Sequence, residues 1–137
     1  SRGLGDVYKR QGLETLLPLM YTYGVAEERL SLLRLVEVLC INPAVIWGLW
    51  PAKGALLPGF EADVVVYDPR PETRIECQRL HHASGYTPYE GLPVQGQVKA
   101  TILRGHLVFR EGEFVGRKGL GRFVRRSLPA GRQPEET

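Results

Sequence analysis

The stretch from Asn42 to Pro69, NPAVIWGLWPAKGALLPGFEADVVVYDP, sets the tightest limit on what this chain can fold into. Before Pro51 the apolar residues recur at helical spacing, and after it they recur at strand spacing. Asn42 can cap a helix, and Pro43 suits a first turn because its missing N–H leaves nothing unpaired there. Together they are expected to stop one helix and start a short one over residues 43–48. Glycines and prolines then punctuate the chain as far as the strand Asp63-Val64-Val65-Val66-Tyr67. That strand is β-branched and apolar on both faces, which predicts a place inside a sheet, closed by Asp68-Pro69.

Two helices are expected upstream. The first carries Leu16, Leu17, Leu19, Met20 and Tyr23, with Pro18 in its first turn and Gly24 as its end. Ser31 suits the N-cap of the second, which is expected to bury Leu32, Leu35, Val36 and Leu39. Downstream, residues 73–77 read as a weak strand and Tyr86 to Gly91 as a turn-rich loop. Val98 to Leu103 and Leu107 to Arg110 read as strands around a tight hairpin at Arg104-Gly105-His106, with Gly105 at the special dihedral. Glu111-Gly112-Glu113 predicts another turn. Past Gly116 the chain should be extended, and from Ser127 disordered. Helices followed by strands give an α+β class. Three short helices with one sheet segment make a poor independent core, so the pattern reads as the tail of a larger barrel joined to part of a second sheet.

The net charge of +3 sits at the two ends. Residues 1–11 carry three bases against one acid, whereas residues 12–116 carry nine bases against twelve acids. Six more bases follow, Arg117, Lys118, Arg122, Arg125, Arg126 and Arg132. A basic tail is not a basic domain face, which argues against a nucleic-acid partner. No apolar run approaches the roughly 20 residues that span a bilayer, and no secretory signal is visible, so a cytoplasmic protein without a membrane partner is expected. Cys40 and Cys77 lack metal-ligand spacing, and Cys40 lies on an apolar helix face, which predicts a buried free thiol.

The first eleven residues, SRGLGDVYKRQ, have no periodicity. The run from Asp6 to Gln11 matches the translation of a transposon end used to fragment DNA for sequencing. It is read as a library artefact, which would make Gly12 a truncation point in a longer natural chain.

Several segments resemble one superfamily. Gly12-Leu13-Glu14-Thr15-Leu16-Leu17-Pro18-Leu19 resembles the Gly-Leu-Glu-Thr segment of dihydroorotases and allantoinases. Arg29-Leu30-Ser31-Leu32 through Asn42-Pro43-Ala44 resembles the helix pair that follows it. Lys53-Gly54, Pro58-Gly59 and Ala62-Asp63-Val64-Val65-Val66 resemble the C-terminal signature of the amidohydrolase superfamily. Thr87-Pro88-Tyr89-Glu90-Gly91 and Arg104-Gly105-His106-Leu107-Val108 are similar to its cyclic amidohydrolase branch of dihydroorotase, allantoinase, hydantoinase and dihydropyrimidinase. The resemblance covers residues 12–126 in order.

It implies a C-terminal fragment of a metal-dependent (β/α)8 barrel enzyme. Residues 12–50 would be the last barrel helices, residues 51–116 the C-terminal part of a composite β-sandwich, and residues 117–137 a basic tail. A complete barrel needs about 250 residues, so this chain cannot hold one. The implied substrate is a small cyclic amide or ureide, and the implied assembly a homo-oligomer.

Hydrolysing a cyclic amide at neutral pH needs a water of lowered pKa and a polarised carbonyl, both of which a metal pair supplies. The resemblance implies zinc or another divalent pair held by histidines, a carbamylated lysine and an aspartate, all upstream of Gly12. No catalytic or metal residue is therefore expected in this chain. His81 and His82 are adjacent, so their side chains diverge on either a strand or a helix, and a loop-surface role is expected. His106 is expected to be exposed in a turn. Gly12 is the candidate substrate contact, at a pocket rim, and Glu14 is read as a first-turn acid favoured by the helix dipole. Trp47 and Trp50 are read as core or interface aromatics. Glu61 and Asp63 flank a strand start but have no base or pocket beside them. Gly116 to Arg122 lacks the strand and Lys-Ser/Thr of a phosphate loop, and reads as a solvated tail crossing onto a neighbouring subunit. The competing functions are a non-catalytic, dihydropyrimidinase-related scaffold of the same fold and a basic-tailed nucleic-acid binder.

Overall fold

The computed structural model describes residues 12–82 and 85–127. The artefact assigned to residues 1–11 and the disorder assigned to residues 128–137 fall outside them. Helices come first and strands after: α1 (Leu16–Met20), α2 (Leu32–Val36) and α3 (Asn42–Ile46), then β1 (Val64–Arg74), β2 (Pro93–Leu103), β3 (His106–Arg110) and β4 (Glu113–Phe114). The strands form one sheet in the order β1-β2-β3-β4. The chain divides into two compact units, residues up to 31 with 67–97, and residues 32–66 with 98 onward.

In the first unit, α1 runs directly into a π-helical turn, Tyr21–Ala26. Gly24 lies inside that turn and does not end the helix as expected. Thr22 makes the turn useful. Its Oγ1 donates to the Pro18 carbonyl at 2.7 Å and accepts the Gln95 N–H at 2.9 Å. The Tyr23 hydroxyl donates to the Pro93 carbonyl at 3.1 Å, so two successive residues of the turn hold the start of β2. Tyr67 packs against Tyr21 with ring centroids 5.2 Å apart and donates to the Gln95 carbonyl at 2.7 Å. Burial, and secondarily Tyr21, pushes the Tyr67 phenol up to about 12. Gly96 has φ +92°, and a Cβ there would sit 2.5 Å from the Tyr67 ring. Ile75 and Val94 are buried apolar residues of this unit.

In the second unit, α2, a second π-helical segment (Glu37–Ile41) and α3 follow one another without a break. Ile41 and Asn42 both keep right-handed helical dihedrals, and no side chain caps the start of α3. Asn42-Pro43 therefore does not separate two helices. Pro43 lacks the N–H the ladder would use, and the wider π segment sits immediately before it. Of the four residues expected on the buried face, Leu35 is buried at 3% exposure, while Leu32 and Val36 are exposed and Leu39 is only partly covered. Cys40 is free as expected, but exposed rather than buried. Trp47 is 69% exposed, while Trp50 meets Phe60 edge-on at 4.9 Å.

β1 continues through Asp68-Pro69 to Arg74, and so takes in Thr73 and Arg74, the first two residues of the separate strand expected over residues 73–77. Among the described residues it ends the strand order, where an inner place was expected, and Val65 and Val66 are about half exposed. A strand with one unpaired edge tolerates prolines, whose missing N–H groups the ladder does not need. The β2–β3 hairpin turns through Arg104 and Gly105, both at positive φ, as the type I′ geometry of a two-residue loop requires. Its register runs Leu103↔His106 and Ile102↔Leu107, then shifts so that Thr101 faces Phe109 and Val108 is skipped. Glu111 and Gly112, again both at positive φ, turn β3 into β4. The tail is extended to Ser127, whose N–H donates to the Gly48 carbonyl at 2.7 Å. Ser127 is thus tied down, against the disorder expected from that point.

Replacing Gly96 by alanine should be among the most destabilising single-methyl additions in this chain. A positive φ and a collision with a half-buried aromatic ring act together, for a loss of about 2–4 kcal/mol. Urea unfolding would show it as a lower midpoint at unchanged slope.

Candidate functional site

The segment that opens the described chain is a tight turn leading into α1. Gly12 has φ +62°, and its carbonyl accepts the N–H groups of Thr15 and Leu16, each at 2.9 Å. Thr15 is buried at 2% exposure, and its hydroxyl donates to the same carbonyl at 3.0 Å. A Cβ on Gly12 would lie 2.6 Å from Thr15 Oγ1 and 2.8 Å from the Tyr89 ring. The loop carrying Tyr89 therefore packs directly on the turn.

A second contact joins the same two segments. The Glu14 carboxylate accepts the His81 backbone N–H on one oxygen and meets His81 Nδ1 with the other, each at 2.8 Å. Glu14 lies in the turn before α1 and is engaged by a loop residue, so helix-dipole placement is not its whole role. Residues 77–91 begin with a 3₁₀ turn (Cys77–Arg79), and the Cys77 N–H donates to Glu90 Oε2 at 2.9 Å. Arg74 donates to the Gly91 carbonyl at 2.8 Å, and backbone bonds between Ile75 and residues 91–92 close the loop's neck. The loop borders an open cleft of about 580 Å³ lined by Cys77, His82, Tyr86, Thr87 and Glu90 among others.

In the second unit several charged residues cluster around Lys53. Its ammonium donates to Glu61 at 2.5 Å and also to Asp63. Asp63 Oδ1 accepts the Arg104 N–H at 2.8 Å, and Arg122 donates to the other Glu61 oxygen. The Arg104 guanidinium in turn donates to the Leu120 carbonyl. Hydrogen bonds from Lys53 and then Arg122 outweigh burial and hold the Glu61 carboxyl down to about 2. Burial pulls the Lys53 ammonium down, but Asp63 and Glu61 outweigh it, and its pKa is raised. Both carboxylates are thus committed to cations, which leaves neither available as a general base. The sequence reading noticed the two acids and missed the lysine that binds them. Lys53 lies eight and ten positions before its partners in irregular chain, and no periodicity marks such a pair.

No group of three or more His, Cys, Asp or Glu side chains among the described residues could hold a metal ion. His81 is bound to Glu14, and His106 starts β3 in an exposed position. The described residues therefore do not fit a metal pair, and no step of metal-assisted hydrolysis can be assigned to them.

The amidohydrolase family profile matches residues 9–108, most of the chain. The chain belongs to the amidohydrolase family. It is 44% identical over 115 residues to the D-phenylhydantoinase of Escherichia coli O1:K1 / APEC, covering 84% of this chain and 25% of that protein. The solved L-hydantoinase (dihydropyrimidinase) of Arthrobacter aurescens superposes with a TM-score of 0.80 at 43% identity, over 84% of this chain and 26% of its own. The dihydropyrimidinase of Brevibacillus agri NCHU1002 superposes with a TM-score of 0.79 at 34% identity, over 81% and 24%. The chain thus spans about a quarter of the length of these relatives. No described helix is long and apolar enough to cross a membrane.

The depressed Glu61 carboxyl has a definite sign. An unfolded glutamate titrates near about 4.3, so the ion cluster stabilises the fold fully above about pH 5, and that contribution is lost as pH falls toward 2. Thermal unfolding followed across that range should show a falling midpoint. Glu61→Gln should flatten the fall while lowering stability at neutral pH.

Proposed function

We propose that this chain is the C-terminal part of a metal-dependent cyclic amidohydrolase that opens hydantoin- or dihydropyrimidine-type rings. The reaction would cleave a carbon–nitrogen bond other than a peptide bond. The observation that carries the reading is the match to a D-phenylhydantoinase and an L-hydantoinase, at 44% and 43% identity, each over 84% of this chain. On this reading residues 12–50 are the last helices of a (β/α)8 barrel, residues 51–116 are the C-terminal share of a β-sandwich, and residues 117–137 are a basic tail. The exposed apolar side chains of the helical run support it. Leu33 is 79% exposed and Ile46 75%, surfaces that a soluble protein normally buries. Zinc or another divalent pair would lie in the rest of the protein and supply an activated water and a polarised carbonyl. This chain's part is structural, with Gly12 at the rim of the substrate pocket. The intact enzyme would be a homo-oligomer.

Two measurements test the reading. The intact protein should open hydantoin or dihydrouracil, read as loss of ring absorbance, and a chelator should abolish the turnover. The 137-residue chain purified by itself should open neither ring and contain no stoichiometric zinc. An intact protein that folds but opens no cyclic amide would instead be a dihydropyrimidinase-related scaffold. Turnover by the isolated chain would overturn the assignment of its role.

A further inference from the structure

We propose that Glu14 and His81 are a positioning pair that holds the turn bearing Gly12 in place. The inference rests on the reading of Gly12 as a pocket-rim residue. The contact is two-pronged, because one carboxylate oxygen takes a backbone N–H and the other meets a ring nitrogen, both at 2.8 Å. Two points fix the loop against the turn better than one. At the far end of the loop, the Tyr89 ring occupies the space where a Gly12 side chain would be. Thr15 and Thr87, one in each segment, are both buried. Short-range bonds hold the turn itself, from Thr15 and Leu16 to the Gly12 carbonyl. Its placement relative to the rest of the unit depends on residues 67–77 positions away in sequence, among them His81 and Tyr89.

Neither residue is a catalytic one, since neither is placed against reacting atoms. Their effect should fall on how well the pocket rim meets substrate and leave the chemical step alone. A glutamine at position 14 keeps an acceptor for the His81 N–H and offers an amide to the ring nitrogen, so it should substitute in part. Alanine offers neither.

The test is made on the intact enzyme with hydantoin as substrate. Glu14→Ala, which removes both prongs, should raise KM by about tenfold, and His81→Ala, which leaves the backbone prong, by about threefold, each with kcat within about twofold. Glu14→Gln should recover most of the loss, and the double alanine variant should cost no more than the worse single one. Thermal unfolding of each variant controls for folding: a merely structural role would lower the melting temperature and the active fraction without moving KM. An unchanged KM in both alanine variants, or a KM rise that adds fully in the double variant, would overturn the pairing. A wild-type enzyme that opens no ring would instead remove the functional reading on which the pair rests.

Discussion

The irregular stretch between α3 and β1 depends on Lys53. Those residues have almost no ladder to hold them, so their backbone groups and charges must find partners one at a time. Lys53 supplies the hub by meeting Glu61 and Asp63. Through Asp63 it reaches the Arg104 N–H at the tip of the β2–β3 hairpin, and the Gly105 N–H donates to the neighbouring Ala62 carbonyl at 2.9 Å. Partly buried ions cost desolvation that a single partner rarely offsets. Here each ion has more than one partner, and the cluster fixes where β1 begins. Arg122 adds the tail to the same hub through Glu61.

Local signals in the sequence survive this comparison, and signals that depend on neighbours do not. Gly105 between two β-branched or apolar runs specifies a two-residue turn, and the hairpin has that form because the backbone conformation is decided within four residues. The order of helices and strands is legible for the same reason. Asn42-Pro43 and Asp68-Pro69 misled, because proline forbids a donor and not a direction. A π segment before Pro43 and an unpaired edge at Pro69 each remove the need for that donor. Cys40 lies within the same π segment, where the 3.6-residue period used to place its side chain does not hold.

The candidate site was legible only in part. Gly12 was singled out only by the resemblance, as a pocket-rim residue; the structure adds its positive φ. The contact between Glu14 and His81 joins residues 67 apart, with nothing periodic or compositional to announce it. The adjacency of His81 and His82 argued for a loop-surface role, and His81 lies in a loop, where it meets a carboxylate that the sequence did not point to.

Pro69 and Pro71 are two residues apart in β1, so both of their missing N–H groups would have pointed to the same edge of the strand. Among the described residues β1 has no neighbour on its outer side. The start of that strand carries Val65 and Val66, both about half exposed. Among the described residues, β1 thus combines an unpaired edge with a partly uncovered apolar face, the two features that a further strand of a sheet pairs with.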